Sequence, residues 1–333
     1  MVFKKNYRMA LAAASILTGG LILFSFLGPW ISLADSLAHF RFHLTALITL
    51  ASVLLALSRA WQQAGLAAAV AVAGVAGMAP AFPAWNATGV DGKAPAITMV
   101  QLNLSFRNSK PEAVADFIRA ESADIVTLQE VTDRTSRVMG LLAEDYPFQI
   151  RCHARRVGGP AIMSRLAMAP GAAKGCVDGQ GLAWMRVMAG GKPVTVASLH
   201  LHWPYPFGQA KQIDRLDSSL KTLPRPILLA GDFNAAPWSH AVDRIAQATD
   251  TDVAAGLRFS FDIRFNGWIP PIAVPIDHIL VPEGLAPLDV RLGPGPGSDH
   301  LSVVARISLP AALSDDPSDR AQAPSGHADA KVN

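Results

Sequence analysis

The chain has 333 residues, 50% hydrophobic and 17% charged, with a formal net charge of +3 and a mean hydropathy of +0.27. Soluble domains carry roughly 25% charged residues, so this composition excludes a protein that is water-exposed along its whole length and points towards a membrane. Two cysteines, Cys152 and Cys176, are too few for a cysteine-rich structural zinc site; they can pair in an oxidising compartment and would be ordinary thiols in a cytosolic one.

The apolar excess sits near the N-terminus. Met9 to Ala34, Phe42 to Ser58 and Ala60 to Val90 contain no Asp, Glu, Lys or Arg. A spanning helix needs about 20 mostly apolar residues, within a range of about 17–25. The first and third stretches are long enough and the second is at the lower limit. Buried core helices are the plainer alternative, but three such runs in succession exceed what a small core uses. A cleaved signal peptide accounts for the first run and leaves the other two unexplained. The expectation is an anchor over residues 1–83 with about three transmembrane helices. Lys4, Lys5 and Arg8 precede the first span and favour a cytoplasmic N-terminus. Three spans then place everything after Pro83 outside the cytoplasm, a parity that reverses if the second run is re-entrant.

The anchor also distorts the charge. Five of the 29 basic residues and one of the 26 acidic residues fall within it, which leaves the remainder at a net of −1. Bulk electrostatics therefore exclude a general nucleic-acid binder, although Arg151, Arg155 and Arg156 form a local basic patch.

Residues 84–96 read as a Gly/Pro/Ala linker. ITMVQLNL follows as a strand, PEAVADFIRAESA as an amphipathic helix with Val114, Phe117 and Ile118 on one face, and DIVTLQEV as a second strand. VTDRTSRVMGLLAEDY is expected to be helical, with Val138, Leu141 and Leu142 inward. FQIRCHARR and GPAIMSR read as short strands. LAWMRVMAGGKPVTVASLHL reads as a hairpin through Gly190 and Gly191. A helix (GQAKQIDRLDSSLKTL), a strand (PILLAGDF), a helix (AVDRIAQAT) and two strands (IDHILV, LSVVARISL) complete the pattern. Alternating strands and helices with several hairpins predict an α/β domain over 97–310, with two packed β-sheets flanked by helices. The polar end, 311–333, reads as disordered.

Several strands end in groups a core would reject: Asn103, Glu130, His200, Asp232 with Asn234, Asp277, and Asp299 with His300. Each alone has a bland explanation as a turn, a helix start or a satisfied side chain. Together they do not, because carboxylates at buried strand ends are costly unless paired or bound to a cation. Strand ends on one edge of a layered α/β fold converge, and oxygen-rich ligands suit Mg2+ or Mn2+ rather than zinc. That points to metal-assisted phosphoester chemistry. Alternation along a strand puts Asp232 and Asn234 on one side and Phe233 on the other, while Pro237 and Trp238 turn the chain away.

The pieces VQLNL, DIVTLQEV, GPAIMSR, VASLHLHWP, LLAGDFNAAPWS, PIDHIL and GSDHLSV, running from residue 100 to 303, resemble the endonuclease/exonuclease/phosphatase superfamily. The resemblance implies a four-layer α/β sandwich. It also implies Glu130 as principal metal ligand with Asn103 beside it and Asp299 on the metal or its water. Asp232 and Asn234 would orient the nucleophilic water and the phosphate, with the Asn234 amide donating to a phosphoryl oxygen. His300 would be the general acid/base oriented by Asp277, and His200 would contact the phosphate or the leaving oxygen, with Asn103 also near substrate. His202 matches nothing in the pattern. The membrane block resembles that of bacterial membrane-anchored members, which implies a multi-pass protein of the bacterial inner membrane with its catalytic domain extracytoplasmic. The expected activity is metal-dependent phosphoester hydrolysis on a lipid or envelope phosphoester. The alternatives are a membrane-anchored nuclease, for which the arginine patch speaks, and a non-catalytic tethered binding module. No obligate protein partner is implied.

Overall fold

A computed structural model of the protein describes residues 2–82, 95–153, 157–264 and 270–309. The expected linker falls largely outside these residues, as do the expected tail and Arg155 and Arg156. Four helices come first: α1 (Val2–Ser25), α2 (Ser32–Ala38), α3 (Arg41–Leu57) and α4 (Trp61–Ala76). The α/β part follows as β1 (Ala96–Asn103), α5 (Pro111–Ala120), β2 (Ile125–Val131), α6 (Arg137–Leu141), β3 (Phe148–Arg151), β4 (Gly159–Ser164) and β5 (Lys174–Val177). It continues with β6 (Leu182–Ala189), β7 (Lys192–His200), α7 (Gln209–Thr222), β8 (Ile227–Asp232), α8 (His240–Thr249), β9 (Thr251–Val253) and β10 (Phe261–Ile263). Four strands end it: β11 (Ile272–Val274), β12 (Asp277–Pro282), β13 (Ala286–Gly293) and β14 (Ser302–Ser308).

The expectation of three spans is not supported. Among the described residues only α1 is long and apolar enough to cross a membrane alone, over Asn6–Ser25. α2 and α3 pass that test only as a pair bent by 66°, and α4 is a shorter apolar helix. The uncharged stretches are longer than the helices they contain. Gly28 and Pro29 lie beyond the end of α1, and α4 stops at Gly77, just before Pro80 and Pro83.

The helices nevertheless form one unit. Ile22, Ile48, Ala67 and Ala71 make a small buried core. A Cβ added at Gly74 would stand 2.3 Å from Thr45 Oγ1, so glycine is what lets α3 and α4 approach. Buried Arg41 ties the far ends of α1 and α4 together. It donates to Ser25 O at 3.2 Å and Gly77 O at 2.7 Å, and lies 4.4 Å over the Phe26 ring. These are carbonyls at helix C-termini, where a cation is favoured.

Two six-stranded sheets, in the orders β13-β14-β1-β2-β4-β3 and β5-β6-β7-β8-β12-β9, make up most of the rest, and β10 and β11 pair antiparallel as a separate two-stranded sheet. Their inner faces meet through Met99, Ile125 and Ile162 from one side and Met185, Val196, Leu228 and Ile279 from the other. α5 and α6 cover the first sheet, burying Val114, Ile118, Val138 and Leu142. α7 and α8 cover the second through Ile213, Leu216, Val242 and Ile245. The result is the expected four-layer α/β sandwich, with the Gly190–Gly191 hairpin joining β6 and β7. The helix expected over 131–146 shrinks to α6. Thr132 and Thr135 exchange hydroxyl and amide bonds that close a local turn in competition with the helix. A disulfide joins Cys152 to Cys176, fastening the segment after β3 to β5, the edge strands of the two sheets.

The helical unit grips the sandwich beside α8. Asp35 accepts from the amides of His240 (2.7 Å) and Ala241 (3.0 Å), capping that helix from outside. Trp238 Nε1 donates to Ala38 O at 2.7 Å, and Ala38, Met78, Ala81, Ala236 and Trp238 share a buried cluster. Where the chain turns away from the site, Trp238 thus seals this joint. An Asp35→Ala variant loses two acceptors at a helix N-terminus, and the expected cost is about 1–2 kcal/mol. Thermal unfolding of the detergent-solubilised chain measures it, and a midpoint equal to wild type contradicts the capping role.

Candidate functional site

Register places the first residues of the site. β7 and β8 run parallel with His200 opposite Asp232, and β8 and β12 run antiparallel with Asp232 opposite Asp277. Three polar residues therefore stand in one row across the second sheet. From the first sheet come Asn103, at the end of β1, and Glu130, in β2. Pairing between β2 and β4 is irregular between Leu128 and Val131, and Glu130 adopts φ +57° there. Such a bulge re-aims a side chain off the sheet. Opposite it, a Cβ at Gly158 would lie 2.7 Å from the Glu130 carbonyl carbon, so only glycine tolerates the bulge.

The side chains meet across the gap between sheets. Asn103 Nδ2 donates to Asp232 Oδ2 at 3.0 Å and lies 3.4 Å from Glu130 Oε1. The other Glu130 oxygen accepts from the Phe106 amide at 2.7 Å. His200 Nε2 sits 3.6 Å from Asp232 Oδ2 and 3.9 Å from Glu130 Oε1. His300 Nδ1 bonds Asp277 Oδ2 at 2.8 Å, while its Nε2 points back to Asp232, 3.8 Å away. Seven of the eight singled-out residues thus share one site. Asp299 is exposed beside it, near enough for its charge to act on Glu130 and His300. His202 stays outside the cluster, its amide held by Gln212 Oε1.

Asn234 reaches the site by a different route from strand alternation. β8 ends at Asp232, and Asn234 takes φ +46° with its amide bonded to Asp232 Oδ1 at 2.8 Å. Such a local turn suits asparagine. Its Nδ2 donates to Leu201 O at 2.8 Å, and its buried Oδ1 has no partner. Phe233 is fully buried, as alternation requires.

A polar ladder escaped the sequence reading. Gln101 Nε2 donates to Gln129 Oε1 at 2.8 Å and to Asp277 Oδ1 at 2.9 Å, and Gln129 Nε2 donates to Ser198 Oγ at 3.1 Å. Ser260 Oγ donates to Asp277 Oδ2 at 2.6 Å, and Ser298 Oγ bonds Asn103 O. The only available signal was Gln101 and Gln129 as polar interruptions of apolar strands. From the helical unit, His39 Nε2 donates to Asn234 O at 2.9 Å.

Burial sets the proton affinities. It pushes the Asp232 carboxyl up to about 7 against the pull of His300 and two hydrogen bonds. It also raises Glu130, outweighing the Phe106 amide. His200 is driven down to about 4 by burial and the nearby His300 charge, so it is neutral. Burial opposes charge on His300 too, but Asp277 and Asp232 win and lift it to about 10. Asp277 is held below its ordinary value because His300, Ser260 and Gln101 overcome its burial.

Asp232, Asp277 and His300 offer ligand atoms within 4.8 Å of one another. Asp277 and His300 are already committed to each other, however, and a protonated imidazole repels a cation. Glu130 Oε1 is only loosely held. Among the described residues no lysine or arginine pairs with Glu130, Asp232 or Asp277, whose ion-pair partners are histidines. The Glu130 carboxylate, which has no lysine or arginine counter-charge among the described residues and lies beside Asn103, is a hard oxygen ligand that fits a divalent cation such as Mg2+ or Mn2+.

The model of the endonuclease/exonuclease/phosphatase family matches residues 100–300, more than half the chain. Among solved structures, D. rerio TDP2 complexed with single strand DNA product is 14% identical over 64% of this chain and 99% of that one, with a TM-score of 0.52. An endonuclease/exonuclease/phosphatase from Bacteroides vulgatus is 16% identical over 65% of this chain and 99% of that one, with a TM-score of 0.51. At such identities the likeness establishes the fold alone. Among curated proteins none matches the chain.

The His300–Asp277 pair carries a signed pH dependence. A histidine raised from 6.5 to about 10 adds stability that is complete below pH 6.5 and lost as the pH rises through about 10. The gap in unfolding midpoint between wild type and His300→Gln should therefore be widest near pH 6.5 and close towards pH 10. A gap constant over that range contradicts the ion pair.

Proposed function

The chain belongs to the endonuclease/exonuclease/phosphatase family and is a metal-dependent hydrolase of phosphoester bonds; on that premise we propose that water attacks phosphorus in line at this site, in an enzyme held at a membrane by its N-terminal helices. The observation that carries the reading is the convergence of Glu130, Asp232 and Asp277 from two sheets, with histidines as their only ion-pair partners among the described residues. Glu130, with Asn103 and Asp299, would hold Mg2+ or Mn2+. Such an ion neutralises charge developing on the phosphoryl oxygens.

The chain's own groups supply the rest. Asp232, raised to about 7, takes a proton from water near neutral pH. Asn234 presents its free Oδ1, an acceptor, to the same water; the Nδ2 expected to reach the phosphate is bonded to Leu201 O. His300 keeps its proton at neutral pH, so its Nε2 donates to a phosphoryl or leaving oxygen. Neutral His200 lies beside it as a further contact to phosphate.

Four features support an extracytoplasmic, membrane-held arrangement. The disulfide belongs in an oxidising compartment. The helical unit turns apolar residues outwards, with Ile16 77% and Leu66 72% exposed, a surface suited to lipid. Arg8, which bonds Ser58 O, and Arg59 gather at the end away from the sandwich, as a cytoplasmic face would have it. Removal of α1 by processing would strip Ile22 from the helical core and the Ser25 partners from Arg41, which speaks for a retained anchor. Tethering favours substrates in the same bilayer or envelope. The nuclease alternative loses part of its support, since Arg151 is engaged by Asp133.

With Mg2+ or Mn2+, the purified chain should hydrolyse bis-p-nitrophenyl phosphate, and chelator should abolish this. Glu130→Gln should raise the metal concentration needed for half-activation while leaving the unfolding midpoint near wild type. His300→Ala should lower kcat about 100-fold or more with little change in metal requirement. Wild-type rates in both variants contradict the assigned roles, and a chain inert towards every ester tested favours a non-catalytic binding module.

A further inference from the structure

The segment WPYPF, 203–207, follows the His200 strand directly and is exposed. Trp203 is 39%, Tyr205 55% and Phe207 69% accessible. Soluble monomers seldom present such a group without a partner. Across a cleft of about 190 Å³, lined by Pro29, Pro204 and Tyr205, stands Trp30, 79% exposed. Trp30 lies five residues beyond the last residue of α1, the one helix among the described residues long and apolar enough to span a membrane alone. Aromatic side chains at that level settle at the headgroup layer of a bilayer. The rings also lead inwards. Trp203 packs on Phe261 with centroids 5.6 Å apart, and Phe261 packs on His300 at 4.7 Å.

We propose that the 203–207 loop and Trp30 form an interfacial aromatic rim that rests on the bilayer and presents a membrane phospholipid's phosphodiester to His300 and Asp232. The proposal rests on the hydrolase reading above and narrows its substrate to an amphiphile whose tails stay in the membrane. Tyr205 and Phe207 touch lipid, while Trp203 and Phe261 line the way to the reacting phosphate. Hydrolysis adds the water oxygen to phosphorus and breaks one phosphorus–oxygen ester bond. The leaving oxygen takes a proton, giving an alcohol and a phosphomonoester. Single-stranded nucleic acid is the other ligand that stacks on exposed rings. The position of Trp30, on the helical unit at the end of the spanning helix, favours lipid.

The test uses the full chain with Mn2+ in three arms: vesicles of phosphatidylethanolamine and phosphatidylglycerol, soluble bis-p-nitrophenyl phosphate, and a single-stranded oligonucleotide. Wild type should cleave the vesicle lipid. A Tyr205→Ser/Phe207→Ser double variant should lose about tenfold or more on vesicles and stay within about twofold on the soluble ester. The aromatic exchange Tyr205→Phe/Phe207→Tyr should keep wild-type rates on both. Hydrolysis of the soluble ester without attack on phospholipid overturns the substrate class and leaves the hydrolase standing. An equal fall on vesicles and soluble ester, or no fall on either, overturns the rim, as does a loss confined to the oligonucleotide. Inactivity on all three arms overturns the hydrolase reading and this inference with it.

Discussion

Two aspartates face each other across neighbouring strands, and much of the site exists to make that tolerable. Asp232 and Asp277 are directly opposed in the β8–β12 ladder and are almost wholly buried. Like charges in that position repel, and the low-dielectric interior amplifies the cost. The fold resolves the conflict asymmetrically. Asp277 receives His300, Ser260 and Gln101 and stays charged, whereas Asp232 receives amide donors and rises towards neutral pH. One carboxylate anchors an imidazolium, and burial leaves the other able to hold a proton near neutral pH. The same row brings in His200, and the first sheet supplies Glu130 and Asn103 from across the gap.

Much of this was legible in the chain. Polar groups closing apolar runs marked the strand ends, and the gathering of Asn103, Glu130, His200, Asp232, Asn234, Asp277 and His300 follows from the layered fold. What stayed hidden depends on partners far away in sequence. Gln101 reads as an ordinary polar interruption until Asp277, 176 residues on, is seen to accept its amide. Ser260 carries no local mark at all. Alternation placed Asn234 beside Asp232 correctly for the wrong reason, since a turn with positive φ brings it there. The helical unit misled in the opposite sense. The absence of charge set outer limits on the apolar stretches, but Gly28, Pro29 and Gly77 decide where helix stops.

The helical unit is more than a leash. Asp35, His39, Ala38 and Ala81 all bond to the sandwich, and His39 holds the carbonyl of Asn234 itself. The segment from Asn234 to Ala241 is therefore fixed from two sides, by β8 and by α2. A flexible tether would let the sandwich tumble, whereas this joint gives the site a set orientation towards the end of α1. The same joint sets Trp30, just beyond α1, across one cleft from Tyr205 of the exposed aromatic loop.

The central claim is that carboxylates from two sheets surround a hard cation held at Glu130. Anomalous diffraction from crystals soaked in Mn2+ tests it most directly. The account predicts one strong peak bonded to the Glu130 carboxylate, with Asn103 beside it and His300 still on Asp277. A site empty at saturating Mn2+, or a peak seated between Asp277 and His300 in place of their hydrogen bond, would contradict it.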